Sequence, residues 1–290
     1  MLFSTETRSV VSGLGVFNGV RLLLESGFTA LDFSFVGDQP YVFGDDWSMN
    51  ARALRLLAAE YGVSFDQAHA PCGGYIEAFM QNHFPKFPRA FEFASALGVR
   101  TIVVHPIRPL PLYYGNEQAY FDANLEFYSS LIPMARDNGL RVAIENQYGN
   151  HPITKRLVND ICGDPDELSR MYDTLAAPDV FTVCLDMGHA ALCGFEPEDA
   201  VRVVSGDRLG AIHVHDVDYI HDMHTLPGLG KINWDKVCRA LAQIDYKGTF
   251  TLEAYKFLSG YDTAYYPSAV KFMSDTAKYL ADKVDSYRTK

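Results

Sequence analysis

Apolar runs that end on a carboxylate or a histidine recur along this chain. The residues that end them are His69, His105, Glu145, Asp186, His213 with His215, and Glu253. In a parallel α/β barrel the carboxyl ends of all strands open into one mouth, so side chains at these positions would converge. The pattern therefore predicts a (β/α)8 barrel whose mouth carries nitrogen and oxygen ligands.

Helical stretches separate these runs in regular alternation. Strands are predicted near residues 2–7, 28–35, 63–69, 100–105, 140–145, 181–186, 210–215 and 249–253. Helices are predicted near residues 16–26, 47–61, 87–97, 117–138, 165–176, 197–204, 234–244 and 263–285. Runs such as TIVVH and FTVCL are continuously apolar, as expected of strands covered on both faces. The expected fold class is α/β, a (β/α)8 TIM barrel forming a single domain over residues 1–290.

Length and charge narrow the class of partner. The chain has 290 residues, 48% of them hydrophobic, and a net charge of −11 at pH 7. Such a surface repels nucleic acid, so we expect a small-molecule partner. No apolar run approaches the roughly 20 residues that span a bilayer, and no secretory signal is recognisable, so the sequence predicts a cytoplasmic protein without a membrane partner. The five scattered cysteines are expected to be reduced, and a homo-oligomer is one form the chain could take.

Four strand-end residues form the predicted core metal site: Glu145, Asp186, His213 and Glu253. Their nitrogen and oxygen donors suit zinc or manganese, with magnesium and cobalt as further candidates. Four ligands from four strands would leave positions open for water or substrate, as catalysis requires. Each residue alone is as readily explained by an ordinary hydrogen bond, but their shared location favours a site.

Several stretches resemble the xylose isomerase-like barrel superfamily. They are AIENQYGN, VCLDMGHAALCGF, HVHDVDYIHDMHTLPGLGKINW and TLEAY, and the resemblance runs from about His69 to Glu253. This superfamily includes sugar and sugar phosphate isomerases and epimerases, the tagatose epimerases and the endonuclease IV type of apurinic-site nuclease. The resemblance implies that the four predicted ligands occupy the metal positions of the epimerase branch. It also implies catalytic roles for Glu145 and Glu253, as acid and base, and for His189.

The nuclease branch binds three zinc ions, and this chain resembles it too. The resemblance implies possible additional metal ligands at His69, His105, His189, Asp222 and His224. The acidic composition and the lack of matching basic loops count against nuclease activity. The epimerase branch also differs, since Tyr219 and His151 replace an arginine and an acidic residue of its pattern. We therefore expect substrate contacts that differ from those of that branch.

Loops at the predicted mouth supply further candidates. Arg108, Lys231 and Lys256 are candidate substrate-binding residues for a phosphate or carboxylate group. The segment after His69 is the longest predicted loop and is expected to act as a lid or specificity loop. GLG at 228–230 lacks the remainder of GxGxxG, so a turn is expected there, with Asn233 or Asp235 near the start of the next helix.

These observations favour a metal-dependent isomerase or epimerase of a sugar or sugar phosphate. The ion would bind a carbonyl and an adjacent hydroxyl oxygen, and a proton would move through an enediolate intermediate. Glu145 and Glu253 would transfer that proton, and His189 would steer a substrate oxygen. Two alternatives remain open, an endonuclease IV-like metal-dependent phosphodiesterase and a non-catalytic sugar-binding barrel. Fold alone does not decide between them.

Overall fold

Eight parallel strands form a barrel in the computed structural model, which describes residues 1–37, 39–151 and 153–288. The barrel strands are β1 (Phe3–Thr5), β2 (Ala30–Ser34), β3 (Ser64–His69), β4 (Thr101–Val104), β5 (Arg141–Glu145), β8 (Phe181–Asp186), β9 (Leu209–Val214) and β10 (Phe250–Leu252). Strands β6 (Tyr148–Asn150) and β7 (Leu157–Asn159) form a separate antiparallel hairpin. The barrel order is β1-β10-β9-β8-β5-β4-β3-β2. Across the remaining seam Glu6 bridges Asp32, and the Thr7 amide donates to the Asp32 carbonyl. The predicted TIM barrel is thus confirmed.

Helices lie between the strands. They are α1 (Arg8–Leu14), α2 (Val16–Glu25), α3 (Pro40–Phe43), α4 (Trp47–Glu60), α5 (Ile76–Asn82), α6 (Phe87–Leu97), α7 (Glu117–Ser130), α8 (Ile132–Asn138), α9 (Pro165–Leu175), α10 (Met187–Leu192), α11 (Pro197–Val204), α12 (Trp234–Gln243) and α13 (Tyr266–Arg288). None of the helices in the described ranges is long and apolar enough to cross a membrane.

The predicted elements differ from the observed ones in a few places. The helix expected over 117–138 is two helices, because a new one begins at Ile132 and its second residue, Pro133, cannot donate a backbone hydrogen bond to the preceding turn. Helices α1 and α10 and the antiparallel hairpin β6–β7 were not predicted. They are short and lie at strand ends, where the helical period has too few residues to be read. The segment after His69 contains α5, so it is not a simple loop.

Small apolar side chains fill the middle of the barrel. Val103, Ala143, Cys184 and Ala211 are buried and pack against one another, apart from the larger core beneath the helices. Each lies two residues before a strand-end residue of the predicted site. Because side chains alternate between the faces of a strand with a period of two, the strand-end residues point into the barrel as well. The apolar layer therefore forms the floor beneath the candidate site.

Candidate metal centre

The inner cluster consists of the four predicted core ligands, Glu145, Asp186, His213 and Glu253. Each offers a ligand atom, and these atoms lie within 4.8 Å of one another. His213 Nδ1 is 2.7 Å from Glu145 Oε1 and 3.4 Å from Glu253 Oε2. Glu145, Asp186 and His213 are fully buried, and Glu253 is largely so. The parallel barrel thus brings these four strand-end side chains to one point.

Two carboxylate oxygens of the inner cluster accept no hydrogen bond. Asp186 Oδ2 and Glu253 Oε2 are buried and accept no hydrogen bond from any residue in the described part of the chain. A buried carboxylate oxygen without a donor is costly, and a cation satisfies it. The donor set, three carboxylates and one imidazole, also suits a divalent ion. On both counts the inner cluster fits a metal ion.

The two glutamates of the inner cluster are held in their charged form. Burial alone would raise the pKa of Glu145, but His105 and His213 hold it well below its ordinary value. Burial alone would also raise the pKa of Glu253, but His213 and His224 hold it well below its ordinary value. Both carboxylates are therefore ionised near neutral pH, as a metal ligand or a base must be.

Asp32 and Gln67 orient the imidazole of His213 through contacts with its Nε2 atom. His213 Nε2 is 3.4 Å from Asp32 Oδ2 and 2.8 Å from Gln67 Nε2, and Gln67 donates to Asp32 at 2.7 Å. These contacts leave Nδ1 facing the inner cluster, as second-sphere partners do for metal-bound histidines. Neither residue was predicted from the sequence. A usable signal was present, since Gln67 precedes His69 by two residues and so shares its face of β3.

The outer cluster consists of Asp186, His189, His215 and His224, and it shares Asp186 with the inner cluster. The four are buried and offer ligand atoms within 4.8 Å of one another. His189 Nδ1 is 2.9 Å from the Asn146 carbonyl, and because a carbonyl only accepts, Nε2 is left with a free lone pair. His215 Nε2 is 3.0 Å from Asp186 Oδ1. This arrangement could hold a second ion beside the first.

His215 was absent from the predicted ligand set. Its ring stacks on that of His224 with centroids 3.7 Å apart. The absence of a side chain at Gly188 leaves room for the His215 ring, because a Cβ at Gly188 would lie 2.0 Å from that ring. The spacing of HVH carried the signal, since the second histidine lies on the same face of the strand as His213.

Asp222 lies at the edge of the outer cluster and orients His224. Its carboxylate accepts a hydrogen bond from His224 Nδ1. It also accepts from Tyr148 Oη at 2.8 Å and Lys256 Nζ at 2.8 Å. His224 holds the pKa of Asp222 well below its ordinary value although burial opposes this. Asp222 is therefore anchored as an anion.

His69 and His105 cover Glu145 on the side of the inner cluster nearest β3 and β4. Their Nε2 atoms are 2.9 Å apart, and His105 Nε2 is 2.6 Å from Glu145 Oε2. Gln147 donates to the same Glu145 oxygen at 3.1 Å. The structure therefore brings every predicted metal residue to the mouth of the barrel. His69 and His105 pack against Glu145 there.

A cavity of about 280 Å³, here called the mouth cavity, opens above the clusters. Its walls include Glu6, Arg8, His105, Arg108, His189 and Glu253. Glu145 does not line it, because His69, His105 and Gln147 lie between. Glu6 and Arg8 follow β1 and were missed, since that strand is short and polar in sequence. Burial raises the pKa of Glu6 to about 7.

The three predicted substrate-binding cations have different positions. Arg108 lines the mouth cavity, where it donates to Asp160 Oδ2 at 2.8 Å and to the Tyr148 carbonyl at 2.7 Å. Lys256 is bound to Asp222. Lys231 is exposed and is not among the residues that line the mouth cavity. The structure thus brings Arg108 alone of the three to the cavity wall.

The loop that carries Asp222 and His224 is held by a buried aspartate. Asp216 accepts hydrogen bonds from the amides of Gly228 at 2.7 Å and Ile232 at 3.1 Å, and from Trp234 Nε1 at 2.9 Å. A Cβ on Gly230 would lie 2.3 Å from this carboxylate. The GLG segment is therefore a turn around Asp216, and Asn233 caps α12 as expected.

Comparison with known proteins places the chain in a family. The model of the xylose isomerase-like TIM barrel family matches residues 20–276. The chain belongs to the xylose isomerase-like TIM barrel family. The resemblance expected from its motifs is thereby confirmed.

One named relative and two solved structures show what the chain is similar to. It is 25% identical to an inosose dehydratase of Bacillus cereus over 71% of each chain. A solved D-tagatose 3-epimerase-like protein superposes with a TM-score of 0.73 at 21% identity, over 98% of this chain and 100% of the other. An IolI protein crystallised with a zinc atom superposes with a TM-score of 0.73 at 16% identity, over 99% of each chain.

Proposed function

We propose that this protein is a metal-dependent isomerase or epimerase of a sugar or sugar phosphate. The observation that carries the proposal is the inner cluster, in which three buried carboxylates and one histidine converge and two carboxylate oxygens accept no hydrogen bond. The family match and the epimerase and dehydratase named among its relatives support a sugar-derived substrate. The zinc atom of the IolI protein supports a metal at the mouth of this fold.

Glu145, Asp186, His213 and Glu253 would hold the ion. When bound, a divalent ion supplies Lewis acidity that stabilises negative charge on a substrate oxygen. Zinc and manganese suit these donors, and magnesium and cobalt are the other candidates. Glu145 and Glu253 stay charged at neutral pH for the reasons given above, so binding an ion releases no proton from these two residues.

Glu253 is the proposed base. It lines the mouth cavity and is ionised near neutral pH, so it can remove a proton from the carbon next to the substrate carbonyl. Glu145 is covered, and we propose that it acts through His105, whose Nε2 lies 2.6 Å from it and which does line the cavity. Burial lowers the pKa of His105, so its imidazole is neutral and can exchange a proton at neutral pH. His189 would orient a substrate oxygen with Nε2.

Deuterium exchange tests this proposal. The protein, loaded with zinc or with manganese, is incubated in deuterated water with a panel of ketoses, aldoses and their phosphates, and NMR detects carbon-bound deuterium and new sugars. We expect exchange in at least one sugar, and a loss of about 10²–10⁴-fold in the Glu253→Gln variant. The proposal would be abandoned if no sugar gained deuterium or changed its configuration. Tight sugar binding without exchange would support a non-catalytic barrel, and loss of water from an inosose would support dehydratase chemistry.

The outer cluster favours a second candidate, a metal-dependent phosphodiesterase of the endonuclease IV type. Two clusters that share Asp186 suit a pair of ions, which can stabilise both the attacking and the leaving oxygen of a phosphodiester. The net charge of −11 opposes binding to a nucleic acid backbone. Nicking of an abasic duplex, together with about three zinc ions per chain, would favour this candidate over the isomerase.

A further inference from the structure

A second cavity adjoins the mouth cavity. It measures about 240 Å³, is here called the side cavity, and shares Arg108 and Asn150 with the mouth cavity. Segments after β3, β4 and β5 form its walls, the last of them being the hairpin β6–β7. Each cavity alone is smaller than the ~300–1,000 Å³ of most small-molecule sites, whereas the two together fall inside that range. The two cavities therefore meet at Arg108 and Asn150, and a ligand that passes these side chains would reach both.

Four tyrosines surround the side cavity, and they fall into two pairs. Tyr113 and Tyr120 are fixed, because Tyr113 donates to Glu167 at 3.0 Å and Tyr120 donates to the Leu110 carbonyl at 2.5 Å. Tyr75 and Tyr114 are 54% and 41% exposed, and within the described residues their hydroxyls make no hydrogen bond. Exposed aromatic rings grouped beside a catalytic mouth indicate a ligand-binding surface.

Polar groups complete the walls of the side cavity. Asp160 is buried and is fixed by Arg108 Nε and by the Ile161 amide. The side chains of Asn150 and Asn159 add amide donors and acceptors. Aromatic faces combined with amide and charged hydrogen-bonding groups match a pyranose ring, which has apolar C–H faces and a rim of hydroxyls. A purely apolar group would leave the side-chain amides of Asn150 and Asn159 without partners.

We propose that the side cavity binds the second ring of a two-ring substrate. That ring is a glycosyl residue, joined through oxygen to the sugar that reacts in the mouth cavity. The identity of the reacting sugar rests on the proposed function, whereas the side cavity makes its own prediction about binding. The rings of Tyr75 and Tyr114 stack on the glycosyl residue, and Arg108 lies at the junction of the two rings. The substrate class is accordingly a glycosylated ketose rather than a free monosaccharide.

Isothermal titration calorimetry with defined sugars tests the proposal by measuring their affinities. The zinc-loaded protein is titrated with D-fructose and with lactulose, isomaltulose and turanose, which each carry one hexose on fructose through a different linkage. We expect at least one disaccharide to bind at least about tenfold more tightly than fructose. In the double variant Tyr75→Ala/Tyr114→Ala this preference should shrink to about threefold or less, with the affinity for fructose unchanged.

The variant Tyr265→Ala is the matched control, because Tyr265 is 54% exposed, like Tyr75, and lines neither cavity. It should retain the preference. Equal affinities for fructose and every disaccharide, no binding of any of these sugars, or a double variant that keeps the preference would each overturn the proposal. Deuterium exchange into fructose without a disaccharide preference would leave the isomerase standing and remove the second-ring site. A preference for a disaccharide without deuterium exchange into any sugar would support the second-ring site and remove the isomerase.

Discussion

The inner and outer clusters share one carboxylate, but different parts of the fold hold them. Every inner ligand is one of the last two residues of a barrel strand or directly follows one, so the ladder hydrogen bonds fix its backbone. In the outer cluster, by contrast, His189 lies on the short helix α10 and His224 lies on a loop. The loop is positioned by Asp216 and by the contacts of Asp222 with Lys256 and Tyr148. The comparison indicates a rigid inner site and an outer site that depends on side-chain contacts.

The largest effect is expected at the shared residue. Asp186→Ala removes a carboxylate from both clusters, so metal content should fall in both and turnover should drop by more than about 10³-fold. The measurement is metal analysis and sugar turnover on wild type and variant prepared identically. Asp179→Ala, at an exposed aspartate paired with Arg136, is the control and should change neither. Full metal occupancy in Asp186→Ala would refute its assignment as a ligand.

The double variant Asp222→Ala/His224→Ala separates the two clusters. If the outer cluster holds an ion, this variant should lose one or more ions while the inner cluster keeps its own. If these residues only contact substrate, metal content should stay equal while KM rises, because contacts made equally in ground and transition states affect binding alone. Metal analysis decides between the two outcomes, and unchanged stoichiometry would contradict an outer ion.

Asp216→Asn tests whether the loop controls the outer cluster. The variant keeps the size of the side chain but loses a carboxylate oxygen as acceptor for the donors at Gly228, Ile232 and Trp234. We expect a loss of about 2–4 kcal/mol of unfolding free energy. We also expect about 10-fold to 100-fold weaker binding at the outer cluster only. Thermal unfolding and metal titration measure these effects. Equal weakening at the inner cluster would show that the two sites are not held independently.

The smallest effect on either cluster is expected from Glu6→Gln. Burial raises the pKa of Glu6 from 4.5 to about 7, so the folded protein favours its neutral form. The stability conferred by that preference is present below about pH 4.5 and is lost as pH rises to about 7. Ionising Glu6 at higher pH therefore costs up to about 3 kcal/mol.

Because glutamine cannot ionise, the variant should avoid that loss. Thermal unfolding of the metal-free proteins is measured between pH 4.5 and 8. The Tm of Glu6→Gln minus the Tm of wild type should increase as pH rises. Two parallel Tm curves would contradict the raised pKa. Metal content after reconstitution should equal that of wild type, since Glu6 belongs to neither cluster.

The sequence was informative wherever a strand could be recognised. Apolar runs with a polar terminal residue located the barrel and the inner ligands, because parallel strands bring their carboxyl ends together whatever the loops do. The same alternation of faces could have located Gln67 and His215, each two residues from a recognised site residue. Motif resemblance, rather than alternation, located His189, Asp222 and His224, which lie outside the strands.

Tertiary structure alone decided which neighbours each polar group has. Lys231 and Lys256 both belong to loops predicted at the mouth. Lys231 is exposed, whereas Lys256 forms an ion pair with Asp222. Glu145 and Glu253 both follow apolar runs, and only packing by His69, His105 and Gln147 covers the first and leaves the second at the cavity wall. Strand periodicity thus determined the floor of the site. Its walls depend on contacts between loops distant in sequence, such as Asp160 with Arg108 and Tyr148 with Asp222, which no local pattern encodes.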